Sequence, residues 1–237
     1  MIEARRAPAV TDRSLTHAYL LAKHRVIERG FEEEIAWQEA ACLKSVTAKI
    51  FVREAAWVVL CGGMRESVVR ARFGALGDAF ALWEPEQIMR TPAVCERRAL
   101  RVFNHPTKVR AIVRIASDVV RQGADAFVRG IETHGPTFLL QLPHIGPVTC
   151  FHLAKNLGCA VAKPDRHLER LACALGFAGA RDLCSVIANA LDEPIQVVDV
   201  VLWRYATLDP DYVTSLRRIA LADRSTRDHG APPPLLD

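Results

Sequence analysis

Residues 142–149, with the sequence LPHIGPVT, have the pattern of a tight turn between two helices. A helical run over Thr137–Leu142 is predicted to stop at the proline that follows it, and a new helix is predicted to begin at Pro147, because proline suits a first helical turn. Between the two, Gly146 allows a positive φ. Such a turn leaves backbone N–H groups pointing outward at a helix N-terminus, where the helix dipole also favours anions. The pattern therefore predicts a phosphate-binding hairpin, in which Thr149 either adds a hydroxyl contact or caps the turn.

The helix that follows the turn is predicted to have two different faces. Its apolar stripe, with the spacing of a core-facing surface, consists of Cys150, Leu153, Ala154 and Leu157. The opposite side carries Val148, His152 and Lys155. We expect this second side to meet DNA, solvent or a cleft, and the helix to end at Gly158.

An acidic residue follows the hairpin in the stretch KPDRHLERLA, residues 163–172. Pro164 disfavours helical backbone in the residue before it, so Lys163 is predicted to be extended. Asp165 then stands where the N-cap of a helix from Arg166 belongs. Position alone favours a helix cap over a catalytic carboxylate, and both interpretations stay open.

The elements that must position these residues are predicted to be helices throughout. Apolar residues recur at spacings of three and four over 13–29 and 31–46, over Ala48–Leu60 before a pair of glycines, and over His105–Arg121. The segment Gln196–Tyr205 is apolar almost all round and is expected to be buried. We predict an all-α fold over residues 1–222, with a mid-chain break near Pro92–Pro106, and a loose tail over residues 223–237.

Composition narrows the class of protein. The 237 residues carry a net charge of +4, which predicts a polyanionic partner only if the basic residues gather on one face. The seven cysteines are odd in number and no pair has CxxC spacing, so neither a zinc site nor a disulfide framework is expected, and most are predicted to be small buried hydrophobes. The N-terminus has no signal-peptide pattern and no apolar run approaches the ~20 residues of a membrane span. A cytoplasmic protein without a metal site is therefore expected.

The hairpin and the acidic motif together resemble the helix-hairpin-helix and Gly/Pro–Asp signature of the helix-hairpin-helix (HhH-GPD) DNA glycosylase superfamily. That superfamily includes endonuclease III, the adenine glycosylase of mismatch repair and the alkylbase glycosylases. FVREAAWVVLCGGMR, residues 51–65, resembles its central helix and minor-groove loop, and NHPTKVRAI, residues 104–112, resembles the helix that precedes the hairpin. The resemblance extends over roughly residues 45–205. It implies two interlocked helical lobes, with double-stranded DNA and a flipped nucleotide in the cleft between them.

The resemblance also implies roles for individual residues. Asp165 would stabilise the positive charge that develops on the sugar as the base leaves, and would orient or activate water. The hairpin residues that would contact DNA are His144, Gly146, Val148, Thr149 and Lys155. His144 replaces the first glycine of the usual hairpin, which either weakens the turn, places an imidazole against a phosphate, or simply leaves a histidine on the surface.

Two departures from the family pattern shape the expected chemistry. Val148 stands where bifunctional members carry a lysine nucleophile, so we expect a monofunctional glycosylase that uses water, with Lys163 as a displaced nucleophile in the alternative. A catalytically inactive DNA-binding protein, in which Asp165 is only a cap, is the other alternative. No cysteine follows Cys184, so the family's iron–sulfur cluster is not expected, and no other cofactor is implied.

The loop after the central helix, Cys61–Arg65, corresponds to the family's wedge. Met64 would fill the gap left by the flipped base or Arg65 would reach the opposite base, although the two glycines equally suit a close backbone approach. Trp57 would stack on the base or belong to the core. These few and mostly apolar candidates favour an alkylated, bulky or hypermodified base. We further expect a monomer associated with the nucleoid.

Overall fold

The computed structural model describes residues 12–222, and every regular element in that range is helical, which confirms the predicted all-α class. The chain folds into two compact units. Unit 1 combines the residues up to Glu39 with those from Ala162 onward, and unit 2 comprises Ala40–Val161. The predicted break near Pro92–Pro106 is wrong, because the helices on either side of it pack together inside unit 2. The predicted loose tail lies outside the described residues.

Unit 1 is a bundle built on two helices from the beginning of the chain and four from its end. Its helices are α1 (Asp12–Glu28), α2 (Glu32–Ala40), α10 (Arg166–Leu175), α11 (Ala180–Leu191), α12 (Ile195–Leu208) and α13 (Tyr212–Ala222). Helix α1 packs against α11, α12 and α13. Helix α12 is buried along most of its length, as its apolar composition predicts.

A buried charge pair ties the two ends of the chain together within unit 1. Arg204 of α12 is 6% exposed and donates two hydrogen bonds, of 2.9 and 2.6 Å, to the carboxylate of Glu34 on α2. Its guanidinium also lies 4.2 Å from the ring centroid of Phe31. This bidentate geometry satisfies both ions, which burial of a charged group requires.

Unit 2 is built around one central helix. Its helices are α3 (Ala48–Cys61), α4 (Glu66–Ala79), α5 (Pro85–Arg90), α6 (Pro92–Val102), α7 (Pro106–Gln122), α8 (Ala124–His134) and α9 (Thr149–Asn156), with shorter helical turns at Leu43–Ser45, Ala81–Trp83 and Pro136–Gln141. Helix α3 begins where the hydroxyl of Thr47 accepts the Ile50 N–H at 3.2 Å. Eight of its 14 residues are buried, and it packs against α4, α7 and α9. The predicted central helix is therefore confirmed.

Helix α7 confirms the predicted helical periodicity over His105–Arg121, and its lysine differs from its arginines in exposure. Lys108 does not lie on the solvent face with its basic neighbours; it is 5% exposed. Its Nζ donates at 2.7 Å to the carbonyl of Leu60 and also to the carbonyl of Gly62, at the C-terminal end of α3. A cation at a helix C-terminus is favoured by the helix dipole, which explains the placement.

Within residues 12–222, no single helix combines the length and hydropathy needed to cross a membrane. The bent pair of α10 and α11 reaches the required values only when the two helices are taken together.

Candidate functional site

Asp165 caps α10, as its position in the sequence predicts. Its Oδ1 accepts the backbone N–H groups of His167 at 2.9 Å and Leu168 at 3.1 Å. The backbone of Asp165 is extended (φ −91°, ψ 166°) and the residue is 9% exposed. The cap therefore holds the carboxylate in one orientation at the N-terminal end of a helix, where a negative charge is favoured.

The second carboxylate oxygen of Asp165 does not take part in the cap. Its Oδ2 lies 3.4 Å from the ammonium nitrogen of Lys163. The two side chains are largely covered, with 10% of Asp165 and 19% of Lys163 exposed. The pair brings a carboxylate and a primary amine together, so one oxygen has a structural role while the other faces a group of opposite charge.

The turn that brings Lys163 to Asp165 is fixed by backbone hydrogen bonds. The Asp165 N–H donates to the Lys163 carbonyl at 2.8 Å across Pro164, a three-residue turn that the proline favours. The Lys163 N–H in turn donates at 2.6 Å to Oδ2 of Asp199, which is 2% exposed on α12. Asp199 thus anchors the approach to α10, a function that the sequence did not indicate.

His167 is the second residue of α10, and its backbone N–H is bound by the same cap. Burial lowers the pKa of its ring; the negative charge of Asp165 opposes this, and the positive charges of Arg166, Arg170 and Lys163 add to it. Its Nε2 accepts from Arg166 Nε at 3.4 Å, which places the ring proton on Nδ1. That Nδ1 is buried without a hydrogen-bond partner among the described residues. A neutral imidazole with one unused N–H therefore accompanies Asp165.

The hairpin of unit 2 differs from its prediction in which residue has the unusual backbone. The left-handed conformation belongs to His144 (φ 62°), and Gly146 does not lie in the left-handed region. His144 is exposed, so the strain of this conformation is not offset by burial of its ring. The turn closes with the Ile145 N–H donating to the Leu142 carbonyl at 3.2 Å. Helix α9 starts at Thr149 and not at Pro147, because residues 147 and 148 form a turn.

Thr149 is used inside the turn. Its Oγ1 accepts the Gly146 N–H at 2.6 Å and lies 3.3 Å from the Gly146 carbonyl. Of the two predicted roles, capping of the turn is therefore the one observed, and the Gly146 N–H does not point outward as expected. Val148 precedes the helix and is 39% exposed, so this position remains at the surface next to the first amides of α9.

Lys155 is not on an exposed face, and the expectation that it contacts DNA is wrong. It is 5% exposed and lies near the buried carboxylate of Glu54 on α3. Burial raises the pKa of Glu54, and the charges of Arg53 and Lys155 and a 3.0 Å hydrogen bond from Asn156 oppose this rise. The attraction of a buried carboxylate explains why α9 turns its lysine inward.

The predicted wedge loop is exposed. Gly62, Gly63, Met64 and Arg65 are all accessible, and Met64 has 40% of its surface exposed. Gly63 has a φ of 70°, which explains one of the two glycines as a conformational requirement. The hydrogen bonds from Lys108 hold the start of the loop in place, so the exposed Met64 follows a segment with a fixed backbone.

Trp57 belongs to an aromatic cluster of unit 2. Its ring contacts Phe73 edge-to-face at 5.0 Å between centroids, and the guanidinium of Arg70 lies 5.5 Å from its centroid. Trp57 is partly buried and packs against the core. Of the two predicted roles, the core position is the one observed.

All seven cysteines are free; Cys95, Cys150 and Cys184 are buried, whereas Cys42 and Cys173 are exposed, so the expectation that most are buried is wrong. Residues 12–222 contain no group of three or more His, Cys, Asp or Glu side chains placed to hold a metal ion.

Asp165 and Lys163 are thus brought together in unit 1, while the hairpin and the wedge loop belong to unit 2. The sequence signal that would have found His167 is its place in the same KPDRHL run as Asp165; Asp199 gave no comparable signal. No protein-family model, no curated protein and no solved structure matches this chain.

Proposed function

We propose that this chain is a monofunctional DNA glycosylase with a two-lobed HhH-GPD fold, which flips a damaged or modified base out of double-stranded DNA and removes it with water. The observation that carries the proposal is that the two carboxylate oxygens of Asp165 have different contacts: Oδ1 caps α10 and Oδ2 faces Lys163. A carboxylate fixed by one oxygen is preorganised, and preorganised charge is what a cationic transition state requires.

The proposed reaction breaks the bond between the sugar C1′ and the base nitrogen. The electron pair of that bond leaves with the base, and positive charge develops on C1′ and the ring oxygen. The carboxylate of Asp165 stabilises this charge more than it stabilises the neutral substrate, which is the condition for lowering the barrier. Water then adds to C1′ and gives up one proton, for which Asp165 is the acceptor.

The exposed wedge loop and the hairpin support the same proposal. Met64 and Arg65 protrude from a loop that Lys108 holds, as a group that replaces a flipped base must. At the hairpin, Val148 and His144 are exposed just before α9. The Cys150 N–H donates to the Gly146 carbonyl at 2.9 Å, whereas the N–H groups of Val148 and Thr149 have no acceptor within residues 12–222. This turn is suited to one DNA phosphate.

The variant Asp165→Asn removes the negative charge and keeps the helix cap, because asparagine caps a helix about as well as aspartate does. Wild type, Asp165→Asn and the control Asp182→Asn are incubated with duplexes that each contain one modified base, and abasic sites are revealed with alkali. Asp182 is a matched control, since its Oδ2 also accepts a backbone N–H near the start of a helix in unit 1, from Ala178 at 3.2 Å. We expect Asp165→Asn to bind DNA and to lose about 10²- to 10³-fold in excision rate, the range that a catalytic electrostatic group supplies.

Equal excision by wild type and Asp165→Asn would refute the catalytic role. Binding without excision by any of the three proteins, on every duplex, would instead favour the inactive DNA-binding alternative.

The contact between Lys163 and Asp165 favours a second candidate, a glycosylase that also cuts the strand. In that reaction Asp165 takes one proton from the ammonium of Lys163, the freed amine attacks C1′, and the base leaves with the bonding pair. The bond between C1′ and the ring oxygen then breaks, and the resulting Schiff base permits elimination of the 3′ phosphate. Borohydride reduction would then trap a covalent complex of protein and DNA, and Lys163→Arg would abolish it. With water as nucleophile, no complex is trapped and Lys163→Arg retains most of the excision rate.

A further inference from the structure

The positive charge of the chain is concentrated in one short segment. Residues 90–116 contain seven lysines and arginines and a single acidic residue, Glu96, which gives a net charge of +6. The whole chain carries +4, so the rest of the chain is net negative by two charges. The weak overall surplus therefore conceals a strong local one.

Most of this charge lies on the outer sides of two packed helices, α6 and α7. We define the arginine face as the five exposed residues Arg97, Arg98, Arg101, Arg110 and Arg114. The two helices contact each other and are joined by the short turn 103–105. Their inner sides are buried in the core of unit 2, including Ala99 of α6 and Ile112 of α7. The arginines are thus held on the outside of a firm helical pair.

The described part of the chain does not neutralise this face. Within residues 12–222, none of its five arginines takes part in an ion pair, whereas exposed charges elsewhere do pair, as Lys49 does with Glu84 at 2.8 Å and Arg121 with Asp118 at 2.7 Å. Four of the five are arranged as like charges four residues apart, Arg97 with Arg101 and Arg110 with Arg114. Such pairs destabilise a helix, so this arrangement is unfavourable until an anion binds.

We propose that the arginine face binds the phosphate backbone of double-stranded DNA, independently of base sequence and of any lesion. Guanidinium groups match phosphate oxygens through paired hydrogen bonds, and neutralising several phosphates releases counterions. The proposal goes beyond base excision, because it requires neither Asp165 nor a flipped base.

The composition of the face selects duplex DNA over other polyanions. Single strands are bound largely by stacking on aromatic side chains. Phe103 of this segment is buried at 5% exposure, and the ring of His105 is stacked against it at 6.3 Å between centroids. Membrane surfaces are bound through apolar groups beside basic ones, and the exposed large apolar side chains among residues 12–222 all lie outside 90–116. What this face presents is charge without stacking or insertion groups.

The test uses two variants of the full chain that lose the same four charges. The first carries Arg97→Gln, Arg101→Gln, Arg110→Gln and Arg114→Gln. The matched control replaces four exposed arginines that do not belong to the face, namely Arg129→Gln, Arg181→Gln, Arg217→Gln and Arg218→Gln. Fluorescence anisotropy with an undamaged duplex of about 25 base pairs, at salt concentrations from about 50 to 200 mM, gives the dependence of log K on log salt.

Each phosphate contact contributes about 0.9 to the magnitude of that slope, so we expect the face variant to have a slope smaller by about 2 to 4 and weaker binding at low salt. The control should differ from wild type by less than about 1. Equal losses in both variants would show an effect of net charge only and would overturn the proposal, as would an unchanged slope in the face variant. Tighter binding of wild type to single-stranded DNA, RNA or anionic phosphatidylserine vesicles than to the duplex would also overturn it.

Three further variants keep the result interpretable. The double variants Arg97→Gln/Arg101→Gln and Arg110→Gln/Arg114→Gln should each give about half the change in slope, which protects the test if the fourfold variant misfolds. Asp165→Asn should bind the undamaged duplex with the slope of wild type. If wild type excises no base but keeps the salt dependence expected for the arginine face, the result would count against the glycosylase proposal alone.

Discussion

Replacing Lys108 by methionine removes the buried ammonium group at the end of α3 while it keeps a side chain of similar length. In the native protein the Nζ of Lys108 donates to the carbonyls of Leu60, at 2.7 Å, and Gly62. The side chain is 5% exposed and its hydrogen bond to the Leu60 carbonyl is buried, so water cannot easily replace that hydrogen bond. The variant therefore leaves two carbonyls at a helix C-terminus without their donor.

The magnitude follows from three effects. An unsatisfied buried polar group costs about 1–3 kcal/mol, and losing a cation at a helix C-terminus costs about 0.3–1 kcal/mol. Burial lowers the pKa of Lys108, which shows that the ammonium is desolvated at a cost that methionine avoids. We expect the free energy of unfolding to fall by about 2–4 kcal/mol.

Urea denaturation at neutral pH measures this loss, with Lys49→Met as the control. Lys49 is 46% exposed and pairs with Glu84, so its replacement should cost less than about 1 kcal/mol. Hydrogen exchange should show faster exchange of the Gly62 and Met64 amides, whose acceptors are the carbonyls of residues 58 and 61. A loss below about 0.5 kcal/mol together with unchanged exchange of these amides would refute the role of the ammonium in fixing the loop.

Three further predictions concern backbone strain and pH. Gly158→Ala should lower the free energy of unfolding by about 3 kcal/mol or more, because its new Cβ would lie 2.6 Å from the Cys42 nitrogen at a φ of +94°. Gly123→Ala, at a φ of +80° with no atom within 4 Å of the new Cβ, should lower it by about 1 kcal/mol. Thermal melts of the pair separate close approach from conformational strain, and equal losses would contradict the distinction. His144→Gly should raise the free energy of unfolding by about 0.5–1 kcal/mol, because His144 is exposed and has a φ of 62°; a lower melting temperature would contradict this. The pKa of His167 is lower in the folded state than its ordinary value of 6.5, so at pH values between the two the unfolded state binds more protons than the folded state. The free energy of unfolding should therefore fall as the pH decreases from 7 through 6.5 towards the folded-state pKa. His167→Gln should flatten that part of the curve in urea titrations, and an unchanged slope would contradict it.

The elements that the sequence predicted well are those fixed by local physics. The apolar periodicity of α3 and α7 is strong enough to set their bounds to within a residue or two, and proline marks the start of α7. Asp165 caps α10 because an aspartate after Pro164 has an extended backbone and reaches two amides of the first helical turn. None of these interactions involves residues far away along the chain.

The side-chain positions that local sequence patterns do not reveal depend on distant partners. Lys108 and Lys155 both lie on helix faces that a periodicity argument leaves to solvent, yet each is drawn inward by a polar group remote in sequence. The partners of Lys108 are carbonyls 46 and 48 residues away, and Lys155 lies near Glu54, about a hundred residues earlier in the chain. A buried carboxylate or an uncapped helix end outweighs the preference of lysine for water, and no local pattern shows where that group is.

The cap formed by Asp165 is compatible with the catalytic role proposed for it. Helix capping and catalysis appear as alternatives when only the position of an aspartate is considered, since either explains its presence. They are compatible here because the cap uses Oδ1 for two backbone amides and leaves Oδ2 facing Lys163. The cap removes the conformational freedom of the carboxylate, which is a cost that a catalytic group must otherwise meet at the transition state. A capping aspartate next to a helix N-terminus is therefore a favourable place to build a catalytic carboxylate, and evidence for the cap does not count against the chemistry.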